Sequence, residues 1–306
     1  MKQIVQRLLQ AVLVLFGVAL LLFIMVRVIP GNPVAVMMGD HGDPETIARI
    51  SRELGLDKPL YEQFFLFLRN AARLDFGTSY TLGRPVSELM GAAFPNTLKL
   101  AVCAAVFAWV TGILCGMAAA VYQNRLPDHL FMGVSLLGLS MPVFLIAMVL
   151  QYVFAYHLHI LPISGTESWK SFILPAIALG WNSAGSVARL MRSSLLEVME
   201  EDYIDTAYAK GRTRAGVLLF HAFRNAFLPV VTLMAVQFSG LLSGAVITET
   251  VFSINGIGRL AVAAISGRDI PLLQGTVLFA TLVAISGNFL ADCLYMVLDP
   301  RISEAV

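Results

Sequence analysis

Charged residues are scarce in this sequence of 306 residues: they make up 13% of it, whereas 58% of it is hydrophobic. A water-soluble domain normally contains about 25% charged residues, so the excess of apolar side chains must face lipid rather than water. The net charge of +1 leaves no strongly basic surface, and we expect no nucleic-acid partner.

Cysteine and enzyme motifs are equally sparse. Cys103, Cys115 and Cys293 lie in apolar runs without a C-x-x-C spacing, which excludes a disulfide framework and provides no metal site. No H-E-x-x-H or G-x-S-x-G motif marks a catalytic residue. The phosphate-binding motif G-x-x-x-x-G-K-[ST] is missing too, and no Gly-Lys pair occurs. We therefore expect no catalytic residue, no bound metal and no cofactor in this chain.

Long apolar runs are what the sequence does contain. A membrane-spanning helix needs about 20 mostly apolar residues, and six uncharged runs have about this length. They are Leu8–Val26, Leu100–Tyr122, Leu130–Tyr156, Ser171–Ala188, Asn225–Thr248 and Ile270–Ala291. The expected fold class is an all-α polytopic membrane protein with six transmembrane helices.

Lysine and arginine in the short loops predict the orientation of these spans. Ten of them fall on one side: Lys2, Arg7, Arg125, Arg189, Arg192, Lys210, Arg212, Arg214, Arg224 and Arg301. The opposite short loops carry only Lys170, Arg259 and Arg268. Because cytoplasmic loops are enriched in these residues, both termini are expected in the cytoplasm.

This topology divides the chain into three predicted segments. Residues 1–28 form an N-terminal tail and the first span, residues 29–99 an extracytoplasmic cap, and residues 100–306 a five-helix core with a cytoplasmic loop at about 195–226. Within the cap, Asp43–Gly55 reads as a helix that ends on glycine, and Lys58–Leu74 as an amphipathic helix.

Several polar residues lie within the predicted spans, where they are costly unless they face a cavity or a neighbouring helix. The candidates for a translocation pathway are Gln151, Asn182, Ser183, Gln237, Ser239 and Asn288. Asp292 near the end of span six is a further polar residue of this kind. For each of them, hydrogen bonding between helices is as good an interpretation as contact with a substrate.

Helix-breaking residues also recur inside the spans. Pro142 lies in the middle of span three, and Gly180 and Gly185 lie in span four. Interrupted helices survive in membranes only where the freed backbone groups meet protein or water. For the glycines, close helix packing is the preferred interpretation.

The predicted cytoplasmic loop holds most of the polar sequence. Its first part, LLEVMEEDYIDTAYAKG, reads as one helix. One face of that helix would contain Leu195, Met199, Tyr203 and Ala207, with Lys210 as a candidate to extend it. Acidic residues disfavour docking on a lipid surface, so we favour a protein partner over an interfacial helix. Gly211 is suited to end the helix.

The ordered set of motifs resembles a known family. DTAYAKG followed by FRNAFLPVV is similar to the cytoplasmic EAA loop of ABC-transporter permeases, although Asp-Thr-Ala replaces Glu-Ala-Ala. The segments LLFIMVRVIPGNP, LGLDKPLYEQF, LSMPVFLIAMVL, ILPAIALG, ARLMRSSLLEV, ETVFSINGIGRL and LYMVLDPRI extend the likeness over nearly the whole chain. The chain resembles the dipeptide, oligopeptide and nickel family of binding-protein-dependent permeases.

The resemblance implies a type I ABC importer permease, with a MetI-like fold, in a bacterial inner membrane. It implies that one helix docks in a groove of an ATP-binding subunit through Tyr203, Ile204, Asp205, Thr206, Ala207, Lys210 and Gly211. Ala207 would allow close approach, and Gly211 would make the turn. The implied partners are a second, related permease, two ATP-binding subunits that bind ATP and Mg, and an extracytoplasmic substrate-binding protein.

Two other classes of function stay open at this point. A membrane enzyme would need a catalytic motif, and the sequence shows none of those sought. A self-sufficient secondary transporter would be expected to have repeated halves, which we do not find. For the permease, the sequence does not separate short peptides from nickel or a metal chelate as the cargo.

Replacement of Gly211 by a bulky residue tests the predicted coupling helix. We expect ATP hydrolysis by the assembled transporter to be uncoupled from uptake, or assembly to fail, because the turn after the helix is lost. The spans themselves should still fold. Uptake and ATP hydrolysis by the reconstituted transporter measure this, and unchanged uptake would refute the assignment.

Overall fold

A computed structural model of the chain describes residues 2–28, 43, 45, 51, 57–243 and 245–298. Most of the helix predicted at Asp43–Gly55, residues 29–42 of the predicted cap and the last eight residues lie outside this part of the chain. The side chain of Asp292 lies outside it as well.

The described part of the chain is helical, with a single isolated bridge between Thr78 and Pro85. In chain order, the helices are α1 Lys2–Val28, α2 Leu60–Ala71, α3 Val86–Val121, α4 Leu126–Ser140, α5 Val143–Leu150, α6 Ile173–Met199, α7 Asp202–Ala209, α8 Arg214–Val217, α9 Phe223–Ser243, α10 Val246–Val251, α11 Ile257–Ser266 and α12 Ile270–Leu298. A π-helical turn extends α5 over Gln151–His157 and another extends α8 over Leu218–Ala222, while a 3-10 turn at Trp169–Phe172 precedes α6.

Four helical stretches among the described residues are long and apolar enough to cross a membrane. They are Val86–Val121, Trp169–Met199, Arg214–Leu242 and Ile270–Ala291. The bent pair Leu126–Ser140 and Val143–His157 adds a fifth if it is counted as one span, and the apolar stretch Leu9–Met25 of α1 is shorter. The all-α membrane fold is confirmed, and the count of six spans stays a prediction.

The predicted third span is not one continuous helix. Its two halves, α4 and the stretch Val143–His157, are bent by 112° relative to each other. Pro142 has no N–H to donate, and its ring disfavours a helical conformation in the residue before it. Met141 accordingly has extended backbone, with φ −85° and ψ 133°. The helix break expected at Pro142 within Leu130–Tyr156 is therefore confirmed, because α4 ends at Ser140, just before this proline.

The chain divides into two compact units, of which the first contains Met1–Pro95 and Asn255–Ile285. The start of α3 packs there against α11 and the start of α12. The buried residues of that contact are Val86, Leu89, Met90, Ala93, Ile257, Ala264 and Leu272. A smaller cluster joins α1 to α12 through Ala19, Leu22 and Leu278, with Phe67 and Leu68 of α2 against it.

A buried carboxylate fastens the segment before α3 to the beginning of α12. Asp269 is fully buried and accepts hydrogen bonds from the Ser79 hydroxyl at 2.5 Å, from the Thr81 hydroxyl at 2.8 Å and from the Thr81 N–H at 3.0 Å. The Leu272 N–H donates a fourth at 3.2 Å. Burial by itself raises the pKa of Asp269, but these donors outweigh it and hold the pKa below its ordinary value. The carboxylate therefore stays charged and holds two distant chain segments together.

The second unit contains Asn96–Ile254 and Ser286–Val306, and α6 is its central helix. Glycines allow other helices to approach the backbone of α6. A Cβ atom at Gly116 of α3 would lie 2.5 Å from the carbonyl oxygen of Ala188. On α6, one at Gly180 would lie 2.6 Å from the Ala104 carbonyl oxygen, and one at Gly185 would lie 2.7 Å from that of Ser135. The packing interpretation of Gly180 and Gly185 is thus confirmed.

Substitution of Gly116 by alanine should weaken the second unit, because the new methyl group would overlap the α6 backbone. The expected cost is about 1–3 kcal/mol, as for other overpacked sites. Gly133 of α4 is the matched control, since a Cβ atom there would meet no atom within 4 Å. Gly133→Ala should be neutral or slightly stabilising, as alanine favours helix over glycine. The temperature at which half of the detergent-purified protein is lost from its size-exclusion peak measures both effects, and equal values for the two variants would contradict the packing argument.

Candidate functional site

The predicted coupling region is two helices rather than one. α6 ends at Met199, Glu201 has extended backbone with φ −79° and ψ 141°, and α7 begins at Asp202. The helix N-terminus favours acidic side chains and the C-terminus disfavours them. Because the chain breaks inside its acidic run, Asp202 and Asp205 fall in the first turn of a new helix. The single helix expected from Leu195 to Lys210 is therefore wrong.

This break also changes which face of α7 is buried. Ile204 is 1% exposed and Ala207 is 5% exposed. Both pack into a cluster that includes Leu195 of α6, Val217 of α8 and Ala222. Tyr203 is exposed, so the predicted face of Leu195, Met199, Tyr203 and Ala207 does not form. In this structure Ile204 and Ala207 attach α7 to the chain's own core. The predicted docking roles of both residues stay predictions.

The outward surface of α7 is polar. Asp205, Thr206 and Lys210 are exposed together with Tyr203. The Asn225 side-chain amide donates a hydrogen bond of 2.7 Å to the Tyr203 hydroxyl oxygen, which links α7 to α9. A partner subunit can therefore reach five of the seven predicted docking residues, Gly211 included.

Gly211 ends α7 in the way predicted from the sequence. Its φ is +77°, a left-handed conformation that glycine adopts without strain. The Gly211 N–H donates to the Tyr208 carbonyl oxygen at 2.9 Å, and the Arg212 N–H donates to that of Ala207 at 3.3 Å. This pair of hydrogen bonds is the Schellman motif, so the turn depends on glycine at this position.

The six predicted pathway residues have different contacts, and their common role stays a prediction. The Gln237 side-chain amide donates to the Ser183 carbonyl oxygen at 3.3 Å, which brings α9 and the Asn182–Ser183 region of α6 together. The Gln151 amide donates instead to the carbonyl oxygens of Ile163 at 2.8 Å and Val251 at 3.2 Å. Its nitrogen thus connects the loop after α5 to the end of α10.

Ser239 lies on α9 and Asn288 lies on α12. Ser239 is 2% exposed, and a Cβ atom at Gly287 of α12 would lie 3.0 Å from its hydroxyl oxygen. The serine therefore lies where α9 and α12 pack closely. Asn288, the next residue along α12, is exposed.

Sequence reasoning missed an ion pair between α4 and α6. Asp128 is 1% exposed and accepts two hydrogen bonds of 2.7 Å from Arg192, one from Nε and one from Nη2. The Asn124 N–H donates a third at 2.9 Å. Such two-pronged pairing fixes the relative position of two helices. One signal was present, since Asp128 is the only acidic residue between positions 100 and 166.

Glu249 is a second buried carboxylate that sequence reasoning did not identify. It is fully buried, and the Thr97 hydroxyl donates a hydrogen bond of 2.7 Å to its carboxylate. It is also the only acidic residue between positions 206 and 268. A lone acid in a long stretch without acids therefore marks a buried polar contact in both cases.

The substitution Asp128→Asn should destabilise the second unit strongly. It removes the partner charge of Arg192 from a largely buried site, which typically costs about 3 kcal/mol or more. Glu88→Gln is the control, because it removes the partner of Arg84 in an exposed pair at the start of α3, where about 0–0.5 kcal/mol is expected. Thermal unfolding of the purified protein compares the two, and an equal loss in both would show that the Asp128–Arg192 pair has no structural role.

Two family models match the chain. The model described as "Binding-protein-dependent transport system inner membrane component" matches residues 112–304, and the model described as "Binding-prot-dependent transport system membrane comp, N-term" matches residues 1–101. Among curated proteins, the glutathione transport system permease protein GsiC of Escherichia coli (strain K12) is 40% identical over 302 residues, covering 99% of each chain. GsiC of Salmonella typhimurium (strain LT2) shows the same identity and coverage.

Solved structures share the fold. A structure titled as inward facing conformations of the MetNI methionine ABC transporter matches with a TM-score of 0.59 and 14% identity, over 69% of this chain and 96% of that chain. An amino acid ABC transporter with histidines matches with a TM-score of 0.55 and 15% identity, over 68% and 94%. These likenesses confirm the MetI-like fold of an ABC importer permease.

These findings identify a multi-pass inner-membrane subunit that transports rather than an enzyme. They support neither a membrane enzyme nor a self-sufficient secondary transporter. Together, the two matched models extend over nearly the whole chain. The chain belongs to the family of binding-protein-dependent transport system inner membrane components and is a permease subunit of an ABC importer.

Proposed function

We propose that this permease forms half of a translocation pathway for short peptides, with glutathione as the first cargo to test. The observation that carries the proposal is the 40% identity to a glutathione permease over 99% of both chains. Because the alignment covers nearly all of both chains, neither protein has a large additional segment that would change the structure around the path. Nickel or a metal chelate, the other cargo class of the resembled family, has no comparable support among these relatives.

The permease works with other subunits. A second, related permease completes the path, two ATP-binding subunits bind ATP and Mg and hydrolyse the ATP, and an extracytoplasmic binding protein delivers the cargo. The absence of a phosphate-binding loop from this sequence supports the assignment of hydrolysis to separate subunits. Both termini lie in the cytoplasm, as the distribution of lysine and arginine indicates.

Movement enters the permease through α7. Its exposed residues Tyr203, Asp205, Thr206 and Lys210 meet the ATP-binding subunit, and Gly211 shapes the turn beside them. The buried residues Ile204 and Ala207 have the second role, because they connect α7 to the core at the end of α6. A displacement of α7 is thereby transmitted to α6 as to a packed neighbour.

The path through this half of the transporter follows the polar region where α6 and α9 meet. Asn182, Ser183 and Gln237 belong to it, since the Gln237 amide reaches the Ser183 carbonyl oxygen. Gln151, Ser239 and Asn288 contribute to the path at other depths. Gln151 would do so through its amide oxygen, or through its amide nitrogen once the hydrogen bonds to Ile163 and Val251 are released.

Uptake by the complete transporter in proteoliposomes tests this function. With the binding protein outside and ATP inside, we expect uptake of glutathione or trialanine that stops when ATP is omitted. Liposomes with the ATP-binding subunits but without this chain are the control. Uptake of Ni²⁺ but of neither peptide would overturn the cargo class, and uptake driven by an ion gradient without ATP would overturn the importer mechanism.

A further inference from the structure

One face of α6 is polar along the C-terminal half of the helix. We name it the α6 polar stripe, and it consists of Asn182, Ser186, Arg189, Ser193 and Glu197. The spacings of four, three, four and four residues keep these side chains on one side of a helix with 3.6 residues per turn. Sequence reasoning used Arg189 only as a marker of orientation and did not include Ser186 or Ser193 among the pathway residues.

The α6 polar stripe becomes more open toward the C-terminal end of α6. Pro175 and Leu179 continue the same face toward the N-terminal end, and both are buried. Asn182 and Ser186 are half-buried, whereas Arg189, Ser193 and Glu197 are exposed. A cleft of about 560 Å³ lies along the open part, with Met132 and Leu139 of α4 on its other wall. The stripe thus runs from a closed end into an open cleft.

Arg189 provides the uncommitted positive charge of this cleft. The neighbouring Arg192 is occupied by the carboxylate of Asp128. Within the part of the chain that the structure describes, the Arg189 guanidinium has neither an ion-pair partner nor a hydrogen-bond acceptor. Glu197 on the same stripe is eight residues away, or about 12 Å along the helix axis, which is too far for direct pairing.

A lipid-facing position does not account for the whole stripe. Arginine can extend its head to the membrane surface while its stem lies against lipid, so Arg189 alone would fit a lipid contact. Ser186 and Asn182 lie about one and two turns further into the membrane, where hydrocarbon disfavours uncompensated polar groups. The hydroxyls of Ser186 and Ser193 are satisfied locally, by donation to the carbonyl oxygens of Asn182 at 3.2 Å and of Leu190 at 3.0 Å. Water along the stripe explains all of these residues together.

We propose that Arg189 is a specificity-determining residue of the exit half of the pathway, where it receives an anionic group of the cargo such as a peptide carboxylate. This inference rests on the proposed peptide cargo. A guanidinium matches a carboxylate with two parallel N–H donors. Because Arg189 is exposed to water, the contact is weak and short-lived, as passage requires: a cargo that binds tightly at the exit would not leave.

Paired peptides that differ only in their carboxyl terminus test the proposal. The complete transporter, with its binding protein saturated by peptide, is assayed in proteoliposomes for initial uptake of trialanine and of trialanine amide, alongside ATP hydrolysis. In Arg189→Gln, we expect the ratio of trialanine to trialanine amide uptake to fall about fivefold, the size of a weak exposed charge contact. Arg189→Lys should keep most of the ratio. Arg125→Gln is the matched control, since it removes an exposed cation that is not on the stripe, and it should leave the ratio unchanged.

Two results would overturn the proposal, and they distinguish a wrong cargo class from a wrong role for Arg189. If the wild-type transporter takes up neither of these peptides nor glutathione, the proposed cargo class has failed and this inference fails with it. If wild-type uptake is present but Arg189→Gln lowers uptake of both peptides equally, or of neither, the cargo class stands and Arg189 does not select anions. An equal loss together with altered ATP hydrolysis would assign Arg189 to contact with a partner subunit instead.

Discussion

The close approach of α6 to its neighbours is the constraint on which the second unit depends. Helices in lipid gain little from the hydrophobic effect when they associate, so they rely on dense packing and on small residues that let backbones meet. Here Gly116 and Gly180 give this contact between α3 and α6, and Gly185 gives it between α4 and α6. The Asp128–Arg192 pair then fixes α4 against the other end of α6. Two kinds of contact at different heights leave α6 little freedom to slide or rotate by itself.

A helix held in this way can act as a transmitting element. The cluster of Leu195, Ile204, Ala207 and Val217 joins the end of α6 to α7 and α8, so α7 has an inner face that belongs to the permease and an outer face that is free for a partner. Packed interfaces shift between discrete arrangements rather than deforming gradually. A force on the outer face of α7 would therefore be transmitted through these side-chain contacts to α6, which carries the polar stripe. The side chains of the stripe would keep their positions relative to one another.

The sequence predicted the features that depend on one or two residues. Gly211 ends α7 because the left-handed turn requires glycine, and Gly180 and Gly185 lie at close helix contacts. It also indicated a break at Pro142, although not that the break turns the span by 112°, since the angle depends on what each half packs against. The division between α6 and α7 was missed because helical periodicity continued through the acidic run at positions 200–202, whereas the helix dipole disfavours acids at a C-terminus. The Asp128–Arg192 pair joins residues 64 positions apart, and no local pattern specifies such a partner. For the same reason, the sequence did not specify the partners of Gln151 and Gln237.

Buried and exposed contacts are distributed unequally along α6 and its neighbours. In the first half of α6, the stripe's face is covered: Leu179 shares one buried cluster with Ile146, Leu150, Phe252 and Ile254. Gln151 connects backbone groups at this same end, from the loop at Ile163 to the end of α10 at Val251, and Thr97 fastens α3 to the buried carboxylate of Glu249. The second half of α6 has no such cover over Arg189 and Ser193 within the described residues. The two Gln151 hydrogen bonds join chain segments that are otherwise far apart in sequence, so they hold this end of the unit together. An amide that lost both carbonyl partners would need water or other acceptors in their place.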